Sequence, residues 1–222
     1  MRSLSLLALA ALVAAPAVSA QATFGIKAGV QAANVSIDDS QYENVDGVEK
    51  KARLGIVAGL TADVPLSQSI VLRPEVLYSQ KGYQVTSEDN GLDGSATARI
   101  DYLEVPLLLA FQQTTPGGLT YSLEAGPTLA YKLSSGIGCD FDGALGDAFC
   151  EALESGDPDG DDNIKDLDFG GALGATVGSG PFGVGVRYTQ GFIDIGKDAD
   201  PVLDGARNSA FTATLHYRFG AQ

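Results

Sequence analysis

Two stretches of the chain, Ile70 to Gly82 and Asp101 to Phe111, alternate apolar and polar residues almost one for one. In the first, Ile70, Leu72, Val76 and Tyr78 share a face, and Arg73, Glu75, Ser79 and Lys81 share the other. In the second, Leu103, Val105, Leu107, Leu109 and Phe111 oppose Tyr102, Glu104 and Pro106. A period of two is the signature of a strand with unlike faces. The stronger constraint is that the polar face carries full charges while the apolar face is long and continuous. A soluble barrel of the lipocalin kind encloses apolar side chains. Here the face to be enclosed holds Gly, Thr, Ser and ions, so hydrocarbon must lie outside. The pattern predicts a small transmembrane β-barrel.

The rest of the chain repeats the scheme. Strands are expected over Phe24 to Asn34, Arg53 to Val64, Leu119 to Leu133, Leu167 to Val177, Phe182 to Phe192 and Ala210 to Phe219, beside the two stretches above. Their connections alternate in length. Long polar loops are expected near 35–52, 86–98, 134–166 and 194–208, and short turns at Pro65-Leu66-Ser67-Gln68, Gln113 to Gly118 and Ser179-Gly180-Pro181. The fold class is therefore all-β, an eight-stranded antiparallel up-and-down transmembrane β-barrel. The long loops are extracellular and the short turns periplasmic. Fourteen charged residues fall within these strands or, for Arg99, at the entry to one, and all but Arg99 and Asp101 take the inward phase. Arg or Lys at mid-bilayer on the lipid face costs about 2–4 kcal/mol, which explains the avoidance.

Arg2, the apolar run Leu4 to Ala15 and the small residues Val18-Ser19-Ala20 read as a secretory signal peptide, residues 1–20, cut after Ala20. The domain is then 21–222, destined for the bacterial outer membrane. Losing Arg2 takes the net charge from −14 to −15. Twenty-two of the 28 acids lie in or beside the long loops, so the strands are near neutral. That balance excludes nucleic acid, which needs a basic footprint.

The segments FGIKAGVQAANVS (24–36), LRPEVLYSQKG (72–82), YLEVPLLL (102–109), LEAGPTLAY (123–131), RYTQGFIDIG (187–196) and YRF (217–219) resemble PorT-like outer-membrane β-barrel proteins of Bacteroidota-type bacteria. The resemblance spans nearly the whole chain after residue 20, and YLEVPLLL following PEVLYSQKG is its most specific part. It implies an eight-stranded barrel, in a family whose name-giving member supports secretion of other proteins. The acidic, cysteine-containing loop departs from the family pattern, and Gly220-Ala221-Gln222 extend past the terminal aromatic residue.

Within the barrel, Glu75, Glu104 and Glu124 are expected at similar heights in its lower half, with Arg73 and Arg187 placed to meet them. Such a network either fills the lumen structurally or gates a narrow channel. An eight-stranded barrel is just wide enough for its own side chains, which favours filling. Cys139 and Cys150, the only cysteines, are expected to form a disulfide within one extracellular loop.

Asp157, Asp159, Asp161 and Asn163, with Asp168 further on, imitate calcium-loop spacing. Asp162 stands where that loop needs Gly, and Asp168 replaces the bidentate Glu, so a solvated acidic loop is the reading and no metal is assigned. His216, the sole histidine, has neither a metal cluster nor a triad around it. Nucleotide loop, zinc motif and nucleophile elbow are all missing, so neither a cofactor nor an enzymatic activity is expected. The expected role is a non-enzymatic barrel with a side-chain-filled lumen, structural or surface-interacting. Its partners are outer-membrane lipid and a protein or surface ligand of the acidic extracellular loops. A narrow ion or solute channel and an accessory factor in secretion or adhesion are the alternatives.

Overall fold

The computed structural model describes residues 22–36, 48–89, 92–141, 150, 164–196 and 205–220. Eight strands follow in order: β1 (Thr23–Ser36), β2 (Val48–Pro65), β3 (Ile70–Asp89), β4 (Leu92–Thr114), β5 (Leu119–Phe141), β6 (Leu167–Ser179), β7 (Phe182–Gly191) and β8 (Arg207–Arg218). Each pairs antiparallel with the next, and β1 closes on β8 from Gly25↔Arg218 to Ser36↔Arg207. A closed ring satisfies its backbone groups internally, the condition for β structure in hydrocarbon.

The two faces separate as the alternation requires. Leu54, Leu173 and Leu215 are 77%, 65% and 67% exposed on the outside, whereas Lys27, Glu75 and Glu124 are 3%, 1% and 2% exposed within. Lipid is the solvent that tolerates so continuous an apolar belt. At the short-turn end Tyr217 meets Phe182 and Phe219 edge to face, with centroids 5.3 and 5.4 Å apart, an aromatic girdle at the interface.

The structure corrects three expectations. First, the long loop expected near 86–98 is mostly strand: β3 and β4 stay paired up to Asp89↔Leu92, and β5 accompanies β4 as far as Gly94↔Phe141. β4 and β5, each 23 residues, exceed by about a dozen the 9–11 that a tilted crossing needs. A small sheet thus rises beyond the membrane, and Cys139 belongs to this strand extension rather than to a loop. It is bonded to Cys150.

Second, two bulges interrupt the ladders. β2 has one residue more than β3 between Ala52↔Tyr83 and Val57↔Ser79. β5 has Leu133 as its extra residue between Asp101↔Ser134 and Tyr102↔Lys132. Bulges re-aim side chains at barrel rims. Third, the β2 bulge changes where Arg53 goes. Its Nη1 donates to Lys81 O at 3.0 Å, and its Cδ lies 3.3 Å from where a Cβ of Gly82 would stand. Lys81 and Tyr83 on either side of Gly82 face inward, so the Arg53 guanidinium lies outside the lumen.

The described parts of two connections, 164–166 and 192–196 with 205–206, fold over the long-loop mouth. Ile195 is 1% exposed and packs with Val35, Ile100, Tyr102, Ala130 and Ala206, with Tyr83 and Ile164 against the cluster. Backbone bonds from Lys165 N to Ile195 O (2.7 Å) and from Ile195 N to Ala206 O (2.8 Å) fix this lid. Asp194 holds it further by accepting from Gly196 N (2.8 Å) and Gly205 N (3.0 Å).

Candidate functional site

Charged side chains on the inward phase of five strands form one chain across the lumen. Arg73 of β3 donates to both oxygens of Asp63 of β2, at 2.6 and 3.0 Å, and through Nη1 to Glu124 of β5 at 2.6 Å. Arg187 of β7 also donates to Glu124 and reaches Glu75 of β3 at 2.6 and 3.0 Å. Lys27 of β1 ends the chain on Glu75. The order is Asp63, Arg73, Glu124, Arg187, Glu75, Lys27, and each charge has neighbours of opposite sign. Three carboxylates balance three cations, and the more exposed Arg218 stands 4.0 Å from Asp63 at the end of the chain. Such balance and mutual hydrogen bonding are what make ions tolerable when buried.

The backbone makes room for this arrangement. Gly174 of β6 lies where a Cβ would come within 3.0 Å of Glu124 Oε1 and 2.9 Å of Val186 O. Threonine and serine fill the remaining wall, as in the 2.6 Å contact between Ser122 and Thr176 hydroxyls.

A second polar group lies above, beneath the lid. Lys81 pairs with Glu104 at 2.9 Å, and its ammonium lies 5.5 Å from the centre of the Tyr102 ring. Asn208 Nδ2 donates to the Tyr102 hydroxyl (3.1 Å) and to Asp168 Oδ2 (2.8 Å). Lys132 donates to Ile164 O at 2.8 Å and lies 3.4 Å from Asp166, tying the barrel wall to the lid. Two small voids flank the central chain, each offering about 20 Å³ to the centre of a water molecule. One is bounded by Gln31, Ser79, Glu104 and Thr212, the other by Thr61, Gln112, His216 and Arg218. Each is room for about one water.

Of the residues singled out from sequence, Arg73, Glu75, Glu124 and Arg187 are joined in the central chain. Glu104 is not: it belongs to the upper group and pairs with Lys81. Lys27, Asp63 and Lys81 were not singled out, although all three are charged residues on inward phases. His216 is half-buried, with Nε2 2.7 Å from the Thr214 hydroxyl, and borders the void nearer the short turns. Asp157, Asp159, Asp161 and Asn163 lie outside the described residues, as do residues 1–20. Asp168 faces the lumen from β6.

Residues 18–196 match the model of a family described as an outer membrane protein beta-barrel domain. No curated protein sequence matches the chain. Among solved structures, Neisserial surface protein A is similar at a TM-score of 0.41 and 12% identity, over 90% of this chain and 99% of that one. Ail, the attachment invasion locus protein of Yersinia pestis, solved with the heparin analogue sucrose octasulfate, is similar at 0.40 and 13%, over 90% and 99%. OprG from Pseudomonas aeruginosa is similar at 0.40 and 14%, over 90% and 96%.

Proposed function

The chain belongs to the outer membrane protein beta-barrel domain family and resides in the bacterial outer membrane; on that premise we propose that it is a closed, non-conducting barrel with a structural or surface-interacting role. The observation that carries this reading is the alternating chain from Asp63 to Lys27, which links β2, β3, β5, β7 and β1 through the middle of the lumen. A permeating ion would have to part neighbours already neutralised by one another. The lid centred on Ile195 supports the reading at the other end. Residues 1–20 act as the export signal in this account, and the extracellular sheet and acidic loops present the partner-binding surface. The lumen residues are structural, so no catalysis is assigned.

The PorT-like segments support a finer placement within the family, with accessory work in secretion as the corresponding role. That role rests on the resemblance alone. The channel alternative draws on the two voids flanking the ion chain. Planar-bilayer recording of the refolded protein separates the readings. Silence under an applied potential is expected, and regular unitary openings would establish the channel. Loss of secreted proteins from a deletion strain would favour the secretion role.

A further inference from the structure

We propose that Arg53 and Arg99, brought together across Gly82 on the outer side of the barrel, bind the phosphate of an anionic lipid headgroup in the outer leaflet. The bulge in β2 lies between Ala52 and Val57 and includes Arg53. Arg53 precedes Leu54, a lipid-facing residue, and would point into the lumen if the ladder ran on unbroken. Instead its Nη1 donates to Lys81 O at 3.0 Å, and its stem crosses β3 at Gly82. Gly82 is left-handed, with φ of 135°, and a Cβ there would lie 3.3 Å from Arg53 Cδ. The register partner of Gly82 on β4 is Arg99. Glycine at this position therefore leaves a path for Arg53 toward Arg99.

Arg99 is exposed and has no ion pair among the described residues. Arg53 Cδ passes beside Gly82, the partner of Arg99, so the charges beside its guanidinium are Arg99, of like sign, and Asp101. Asp101 is not within ion-pair distance of either guanidinium. Its Oδ2 accepts from the Ser134 hydroxyl at 3.2 Å, and its Oδ1 has no protein partner. One carboxylate offsets one of the two cations and leaves the other uncompensated. Two adjacent guanidiniums repel unless an anion lies between them. A phosphate fits, because each planar fork can donate two hydrogen bonds to its oxygens.

Height selects the source of that phosphate. Leu54 and Leu103 lie just below the pair and face hydrocarbon, while β3, β4 and β5 continue upward out of the membrane. The guanidiniums thus occupy the hydrocarbon–water boundary, where headgroup phosphates reside. The long loops around this end are strongly acidic, so a general attraction for anions would not concentrate them here.

The test uses the full refolded protein in neutral detergent micelles, with diphosphorylated lipid A as probe and native mass spectrometry as readout. The wild type is expected to retain the lipid, and R53Q/R99Q to lose affinity about 25-fold, about fivefold per arginine. Arg218→Gln, a cation at the opposite end, should bind like the wild type. Excess inorganic phosphate should not displace the lipid. Heat-modifiable migration checks folding, and R99Q alone, altering a residue without an ion-pair partner, should fold and lose about fivefold. Undiminished binding by the double variant or by R99Q would overturn the proposal. So would an equal loss in Arg218→Gln, which marks non-specific attraction, or displacement by inorganic phosphate, which marks a site for free anions.

Discussion

Arg187 of β7 meets Glu75 of β3 across the full width of the lumen, with Nη1 2.6 Å and Nη2 3.0 Å from the carboxylate. β3 and β7 are four strands apart in a ring of eight, so this pair spans a diameter. Arg187 also serves Glu124, and through it Arg73 and Asp63. One side chain thereby couples opposite walls of the barrel.

Arg187→Ala leaves two buried carboxylates short of a partner, and breaking a buried pair by removing one member costs about 3–5 kcal/mol. Urea titration of the protein refolded into lipid vesicles should show a loss of that order. Glu104→Ala, which strands Lys81 in the upper group, should also be costly. Arg99→Ala removes an exposed residue and should stay within about 0.5 kcal/mol. Equal effects of Glu104→Ala and Arg99→Ala would contradict the assignment of their faces.

Gly174→Val tests whether the wall is shaped around Glu124. Its Cβ would crowd both Glu124 Oε1 and the Val186 carbonyl. Overpacking of this kind costs about 1–3 kcal/mol. A lowered urea midpoint with unchanged m-value is expected, and an unaltered midpoint would show that the neighbouring strand yields freely.

The positions of the charges were legible in the sequence, and their partners were not. Alternation comes from lipid on one side and enclosure on the other, so it assigns faces directly. Pairing depends also on how far each strand is staggered against the next, which the sequence does not display. Lys27 and Glu75 are separated by 48 residues and meet only because β1, β2 and β3 tilt together. Glu104 was expected beside Glu75 and Glu124 and instead pairs with Lys81 for the same reason. The strand extensions through 86–98 and 134–141 were invisible because, over 94–98 and 134–140, neither face is buried, which removes the contrast that marks a strand. Arg53 was misplaced because a bulge adds a residue without altering the visible alternation.

The bond between Cys139 and Cys150 lies at the far end of the β5 extension, remote from the ion chain. The purified protein should take up no thiol reagent until reductant is added, and two equivalents afterwards. Reduction should leave the urea midpoint of the barrel unchanged, since its wall pairs independently of this link. A shift of the midpoint would tie the loop to the stability of the wall.

The central claim, that ions are enclosed and hydrocarbon surrounds them, is most directly tested by single-tryptophan substitutions. The chain has no tryptophan of its own, so each substitution reports without background. Leu123→Trp and Ser122→Trp are neighbours on β5, the first on the outer face and the second on the inner. In vesicles of brominated lipid the account predicts strong quenching of fluorescence for Leu123→Trp and little for Ser122→Trp, with both variants folded. Equal quenching, or quenching of Ser122→Trp alone, would contradict it.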